Sequence, residues 1–525
     1  MTITLVPSAA YVGSELAAEY GNIPPAFLPI GHRRLYELQL ETIAPEGFST
    51  KTYLTLPQSF SPPQADIDWF SKNQVTVINV PDNLELGESI LFALEKIELG
   101  AHGLNILHGD TLIYDLPVIS SNKVAIGFAA ENYVWGSLSR DQLEGSVVDR
   151  EMVLAGYFSF GDAEAFREAL IKFDGHFLSA VNFYDRQHNL MKFTAKEWLD
   201  FGHLQTFYRA RCEVRTQRAF NELSVNFREV RKSGLHQDKI RAEANWYAAI
   251  PLPLRSYVPA LLGFGENPRP WYKSEYLPIP SLHELFVFGE HSDAVWKKII
   301  DGCFTFLMDC IQNGQNQILS VPVDCLQKLS TEKTLFRVEE FCQVMGIVPQ
   351  SRWAYEGKLL PSLYEIIEVT TEAIDFSSSR TVGVMHGDLC FTNIFYDFRT
   401  QKIQVIDPRG TMDGATHSIM GDIRYDLAKL NHSIAGYDFI LANRFQCHGF
   451  EAQDLSISFQ DVGKMSQLES IARSFRVSGV GTDDLEISAL TIHLFLSMLP
   501  LHQDRPDRQK AFLANALRLF SKDFI

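Results

Sequence analysis

The chain of 525 residues is longer than one hydrophobic core usually serves, so two or three domains are expected. A hydrophobic fraction of 46% with 21% charged residues fits an ordinary globular protein, and a net charge of −17 without a Lys/Arg block argues against nucleic acid or anionic membranes as partners. No apolar stretch approaches a membrane span, the start MTITLVPSAAYV lacks a basic n-region, and seven scattered cysteines without a Cys-x-x-Cys pair point to reduced thiols in the cytoplasm.

Residues 1 to about 210 alternate short apolar runs with helical spacing. TVINV (76–80), LNILHGDTLI (104–113) and VAIGFAA (124–130) read as buried strands, and SILFALEKIE (89–98) and DAEAFREALIKF (162–173) as helices. Such alternation predicts a mainly parallel α/β sheet. The character changes at CEVRTQRAFNE (212–222), which reads as a join.

IPPAFLPIGHRRLYELQLETI (23–43), NILHGDTLI (105–113), AGYFSFGDAEAFREAL (155–170) and EWLDFGHLQTFYRAR (197–211) together resemble sugar-1-phosphate nucleotidyltransferases. The resemblance implies a Rossmann-like α/β domain over 1–212, with Asp110 and Asp200 as a metal-binding pair and a sugar nucleotide or sugar phosphate as ligand. In that family a Gly-rich turn ending in Arg, and a Lys before Leu-Pro-Ile, offset the charge that builds on the triphosphate. Here those positions hold Glu15 and Pro25, and the turn PSAAYVGSE keeps one glycine, Gly13. A carboxylate in place of an arginine reverses the charge, so nucleotidyl transfer is expected to be impaired. Arg33 and Arg34 are expected at the surface, opening the next helix.

Further on, SVNFREVRKSG reads as two short strands, QDKIRAEANWYAAI as a helix, and PLPLRSYVP as a connection. Beyond 290 the chain reads as mostly helical, interrupted by one strand–turn–strand unit, GVMHGDLCFTNIFYDFRTQKIQVIDPRG (383–410). Within it Asn393 follows Asp388 by five residues, and the hairpin brings Asp407 back beside Asn393. Carboxylate and amide oxygens so placed suit Mg²⁺, and Asp388 is left to accept a proton from a hydroxyl.

His-Gly-Asp-x-x-x-x-Asn followed by Ile-Asp-Pro resembles the aminoglycoside phosphotransferase and choline kinase group, a branch of the protein-kinase-like fold. The resemblance implies an α+β bilobal domain over 218–525, with a small lobe at 218–282 and a helical lobe at 283–525. It implies Asp388 as catalytic base, Asn393 and Asp407 as Mg²⁺ ligands, His386 as a brace of the catalytic loop and Asp426 as its anchor. Lys232, held by Glu243, would bind the ATP phosphates, with Lys239 the competing lysine, and the backbone from Glu275 to Leu277 would face adenine. The first strands, RAFNELSVNFREV, contain no glycine, so no Gly-rich loop covers the phosphates.

The implied function is ATP-dependent phosphorylation of a hydroxyl on a small molecule such as a sugar or amino alcohol. The closing LSMLPLHQDRP resembles members found among capsule and surface-polysaccharide proteins. Two alternatives stand beside it: a bifunctional kinase and nucleotidyltransferase, and a non-catalytic assembly protein. Cys390 reads as a packing residue within the loop, and His432 and His493 read as satisfied core histidines. The two His-Gly-Asp tripeptides, 108–110 and 386–388, belong on this reading to different folds.

Overall fold

The computed structural model describes residues 2–43, 50–116, 121–129, 151–214, 221–316 and 321–525. The chain divides into two compact units, Met1–Val214 and Arg215–Ile525. Part of the expected join (215–220, with the boundary at 218) and the last residue of VAIGFAA lie outside the described residues.

The first unit is built on a seven-stranded sheet. Its strands are β1 (Thr2–Pro7), β2 (Thr50–Pro57), β3 (Val75–Val80), β4 (Gly103–Leu107), β5 (Lys123–Ala129), β6 (Glu151–Phe160) and β7 (Met191–Thr194), in the order β7-β5-β6-β4-β1-β2-β3. β3, β2, β1 and β4 run parallel, which is the Rossmann half-sheet order, whereas β6 is antiparallel to both β4 and β5. Ile3, Leu5, Leu104 and Ile106 are fully buried beneath Ile90, Phe166, Leu170, Val181 and Tyr184 from three helices, as in a sheet with covered faces.

LNILHGDTLI is not one strand. β4 ends at Leu107, and Thr111–Ile113 leaves the sheet to pair with Trp198–Asp200. The break falls at Gly109, whose N–H bonds to the Pro7 carbonyl; a Cβ there would lie 2.7 Å from that of Ser8. Close approach of two backbones requires glycine, and it places Asp110 at the end of β4.

The second unit opens with an antiparallel sheet of β8 (Asn221–Val225), β9 (Glu229–Gly234), β10 (Leu261–Gly265) and β11 (Trp271–Glu275), in the order β8-β9-β11-β10. The helix Gln237–Ala249 packs on β9 and β11 and buries Ile240, Glu243, Ala244 and Tyr247, the i, i+3, i+4, i+7 face. The rest is mainly helical around Leu485–Ser497, which is buried without a break from Ile487 to Ser497. Ile394–Asp397 and Lys402–Val405 form the expected hairpin. A second four-stranded sheet was not expected: Lys358–Ser362, Arg352–Tyr355, Asp454–Phe459 and Phe445–His448, in that order. Among the described residues no helix is long and apolar enough to cross a membrane.

Candidate functional site

In β9 the pleat turns Lys232 inward, where it is 3% exposed. Its Nζ lies 2.7 Å from Glu243 Oε2 and 3.1 Å from Asp407 Oδ1, and the Tyr272 hydroxyl donates to Glu243 Oε2 at 2.9 Å. Burial alone would discharge the lysine, but Asp407 and Glu243 outweigh it and raise its pKa above the ordinary value. Burial dominates at Glu243 and raises its pKa as well. Lys239, the competing lysine, has an exposed side chain 3.8 Å from Glu243.

Lys232, Glu275, Leu277, Asn393 and Asp407 line one cleft of about 210 Å³. Its apolar lining comes from Val225 and Val230 of the sheet and from Phe395 and Ile406 of the hairpin. Along its edge Glu275 N–H bonds to the Ala260 carbonyl and Tyr276 N–H to that of Arg228. Among the described residues no hydrogen bond uses the Leu277 N–H.

The segment that carries Asp388 is tied at several points. Asp426 accepts the N–H groups of His386 and Gly387, both at 2.7 Å. His386 Nε2 donates to the Ile406 carbonyl at 3.0 Å while Nδ1 accepts from Asp388 N–H, and burial lowers its pKa to about 4, so the ring is a neutral brace. Arg409 Nε donates to the Gly387 carbonyl. The Trp246 indole reaches the Met385 carbonyl at 2.8 Å, and the Tyr247 hydroxyl accepts from Asp407 N–H at 3.2 Å. At Gly410, with φ +69°, a Cβ would lie 2.1 Å from the Ala242 carbonyl oxygen, so this loop runs directly against the helix that carries Glu243.

Asn393 spends its amide nitrogen on Asp388, on the backbone oxygen at 2.9 Å and Oδ2 at 3.2 Å. Its Oδ1 is therefore left as an acceptor beside the Asp407 carboxylate in the same cleft. Asp407 sits in the left-handed region at φ +58°, which aspartate tolerates better than most side chains. Two hard oxygen donors with room for phosphate oxygens fit a Mg²⁺ ion. Asp388 is half-buried and paired with Lys429 at 2.8 Å. Burial raises its pKa, but Lys429 and Arg409 more than offset this and hold the carboxylate well below the usual range. A carboxylate so held stays ionised and can accept a hydrogen bond from a hydroxyl.

Sequence reasoning did not single out Lys429, Arg409, Lys333 or Tyr425. The available signal was spacing: Tyr425 and Lys429 are four apart on the helix Ile423–His432, whose anchor Asp426 lies between them. His493 is bonded to the Thr370 hydroxyl as a core histidine, whereas His432 is buried with neither ring nitrogen bonded among the described residues. Cys390 is buried, and its thiol pKa is pushed up to about 12, so it is an inert packing residue.

In the first unit Asp110 and Asp200 converge on Gly202, where a Cβ would lie 2.6 Å from Asp110 Oδ2 and 3.4 Å from Asp200 Oδ1. Burial and then Asp200 raise the Asp110 pKa to about 6. Both line a cleft of about 640 Å³ that also contains Glu85, Glu88 and Asp174 but, among the described residues, no Lys or Arg. Glu15 is exposed at the start of the helix Ser14–Tyr20 and adds negative potential at His203, which bonds to Asp200 at 3.2 Å. Pro25 begins a short 3-10 turn. Arg34 corrects the surface expectation: it is 3% exposed, bonded to the Phe27 carbonyl and 3.7 Å from buried Asp66, because Arg33–Arg34 forms a short strand with Pro29–Ile30. Arg33 is partly exposed and is bound by Glu37 and Glu41.

No protein-family model and no curated protein matches the chain. Similar solved structures, over the N-terminal part of the chain, include HddC from Yersinia pseudotuberculosis, at 16% identity and TM-score 0.30, over 41% of this chain and 100% of that one. The inositol-1-phosphate CTP transferase from T. maritima is similar at 12% identity and TM-score 0.30, over 39% of this chain and 91% of that one.

Proposed function

We propose that the second unit is an ATP-dependent phosphotransferase that acts on a hydroxyl of a small molecule. The observation that carries this reading is the meeting of Lys232, Glu243 and Asp407 at one end of a narrow cleft, with Asn393 and the Glu275–Leu277 backbone on its walls. An adenine ring suits apolar walls and an edge with a free backbone N–H, and a charged lysine suits the phosphates. Asn393 and Asp407 would hold Mg²⁺, which would neutralise charge on the phosphates when bound.

The acceptor hydroxyl meets Asp388, which fixes its lone pair in line with the γ-phosphorus. The new O–P bond forms as the bond from phosphorus to the bridging oxygen of ADP breaks, ADP leaves with the electron pair, and the hydroxyl proton passes to Asp388. Full-length protein titrated with Mg-ATP should be stabilised by roughly 2.7 kcal/mol when the nucleotide reaches about a hundred times its dissociation constant. Absence of any calorimetric binding at millimolar Mg-ATP would remove this reading. Release of ADP across a library of hydroxylated metabolites would then identify the acceptor.

The first unit, on the same reading, is a poor nucleotidyltransferase or none. Its cleft gathers carboxylates where a triphosphate needs cations, and Arg33 and Arg34 are both already engaged. Incubation with each NTP and a panel of sugar 1-phosphates should release pyrophosphate little above the rate without protein. Rapid release that disappears in Asp110→Ala would instead establish the bifunctional enzyme.

A further inference from the structure

The nucleotide cleft is only half of a kinase site, and the surroundings of Asp388 carry information about the other half. On the helix Ile423–His432, Tyr425 and Lys429 share one face, and Lys429 pairs with Asp388. The Tyr425 hydroxyl accepts from Lys333 Nζ at 2.6 Å and lies 3.4 Å from Arg409. Arg337, one turn beyond Lys333 on the helix Lys333–Met345, donates to the Ser497 carbonyl and feels the Tyr425 and Arg409 charges. Lys333, Arg337, Arg409 and Lys429 therefore gather beside one ionised carboxylate, Asp388, and one phenol, Tyr425.

The charges do not balance. Among the described residues Lys333, Arg337 and Arg409 have no carboxylate within 4.0 Å, and Asp388 already belongs to Lys429. Asp426, the next carboxylate inward, has its pKa raised by burial to about 7 and spends both oxygens on backbone N–H groups. The strain shows in the neighbours: burial lowers Lys333 to about 7 against the pull of Tyr425, with Arg409 and Lys429 adding to the fall, and despite burial the cations Lys333, Arg409 and Lys429 lower the Tyr425 phenol to about 7. Tyr425, Asp388 and Asp426 favour the Arg409 charge from a distance, but no carboxylate contacts Lys333, Arg337 or Arg409 among the described residues, and cations so placed bind phosphate or carboxylate strongly when one arrives.

We propose that the acceptor carries an anionic group of its own, a phosphate or a carboxylate, seated against Lys333, Arg337 and Arg409 while its hydroxyl meets Asp388. This rests on the phosphotransferase reading of the same unit. The substrate class is then a phosphorylated or acidic sugar or polyol, and an amino alcohol is repelled.

The test uses full-length protein with its nucleotide site filled by Mg-AMP-PNP, so that phosphate probes cannot occupy it. Calorimetric titrations with inorganic phosphate, glucose 6-phosphate, glucuronate, glucose and choline compare the wild type with Lys333→Met and Lys333→Arg. At least one anionic probe should bind, with glucose and choline far weaker. Phosphate probes without glucuronate would specify a phosphate, and the reverse a carboxylate. Lys333→Met should weaken the anion about tenfold or more, Lys333→Arg should largely restore it, and Mg-AMP-PNP affinity should stay constant in all three.

Binding of choline or glucose in preference to every anion overturns the proposal, as does anion binding that Lys333→Met leaves unchanged, since that anion sits elsewhere. Weakened Mg-AMP-PNP binding in Lys333→Met also overturns it, because the cations would then serve the nucleotide. If Mg-AMP-PNP fails to bind the wild type, the phosphotransferase reading itself fails. Nucleotide binding without anion binding removes only the inference about the acceptor.

Discussion

Asp388→Asn should lower phosphoryl transfer about 10²- to 10⁴-fold while Mg-ATP affinity stays within about twofold, the range expected for loss of a general base. Asn retains the shape of the residue, and the Asn393 amide can still bond to the backbone oxygen of position 388. Asp407→Asn should weaken both binding and turnover, because that carboxylate faces Lys232 in the cleft proposed for the nucleotide, where the proposed metal would meet the phosphates in the ground state. Asn also tolerates the left-handed backbone of position 407, where alanine would add strain of its own. Calorimetry and turnover on the two variants separate the roles. Normal turnover in Asp388→Asn would show that another group takes the proton, and unchanged Mg-ATP binding in Asp407→Asn would place the metal elsewhere.

Lys232→Met should abolish Mg-ATP binding and also lower stability by about 3–5 kcal/mol, because it strands Glu243 as a fully buried carboxylate. Adding Glu243→Gln should recover most of the stability and none of the nucleotide binding, which distinguishes the structural cost from the functional one. The single variant carries a pH signature. Without Lys232, Glu243 has a folded pKa well above its unfolded value. The destabilisation is therefore largest above that folded pKa and fades as pH falls through it, disappearing below the unfolded value near 4.5. Urea unfolding at pH 7 and pH 5 reads this directly; a deficit independent of pH would show that Glu243 is not the stranded charge.

The elements that position the site were legible because their patterns are local. β9 followed by an amphipathic helix, and a hairpin closed by Phe398–Lys402, can be read from spacing alone, and so can the convergence of Asn393 with Asp407. The second sheet was missed because its strands are only four to six residues long and its two antiparallel strand pairs, 352–362 and 445–459, lie far apart in sequence. Arg34 was misplaced for a different reason. Its partner Asp66 lies thirty-two residues away, and no local pattern predicts a buried ion pair across that distance. The cations around Tyr425 were missed likewise: Lys333 and Lys429 come from helices almost a hundred residues apart and meet only when the helical core packs.

The helix that carries Glu243 is held from three directions: by the Trp246 bond to Met385, by the Tyr247 bond to Asp407, and by Gly410 pressed against Ala242. On the proposed phosphotransferase reading, Lys232–Glu243 corresponds to the ion pair that protein kinases assemble or dismantle by displacing that helix. Here an outward swing would drag the Asp407 loop along and disturb the Asp407 and Glu243 contacts of Lys232 together. On the phosphotransferase reading, control would then belong to the supply of nucleotide and acceptor, and not to a displacement of this helix.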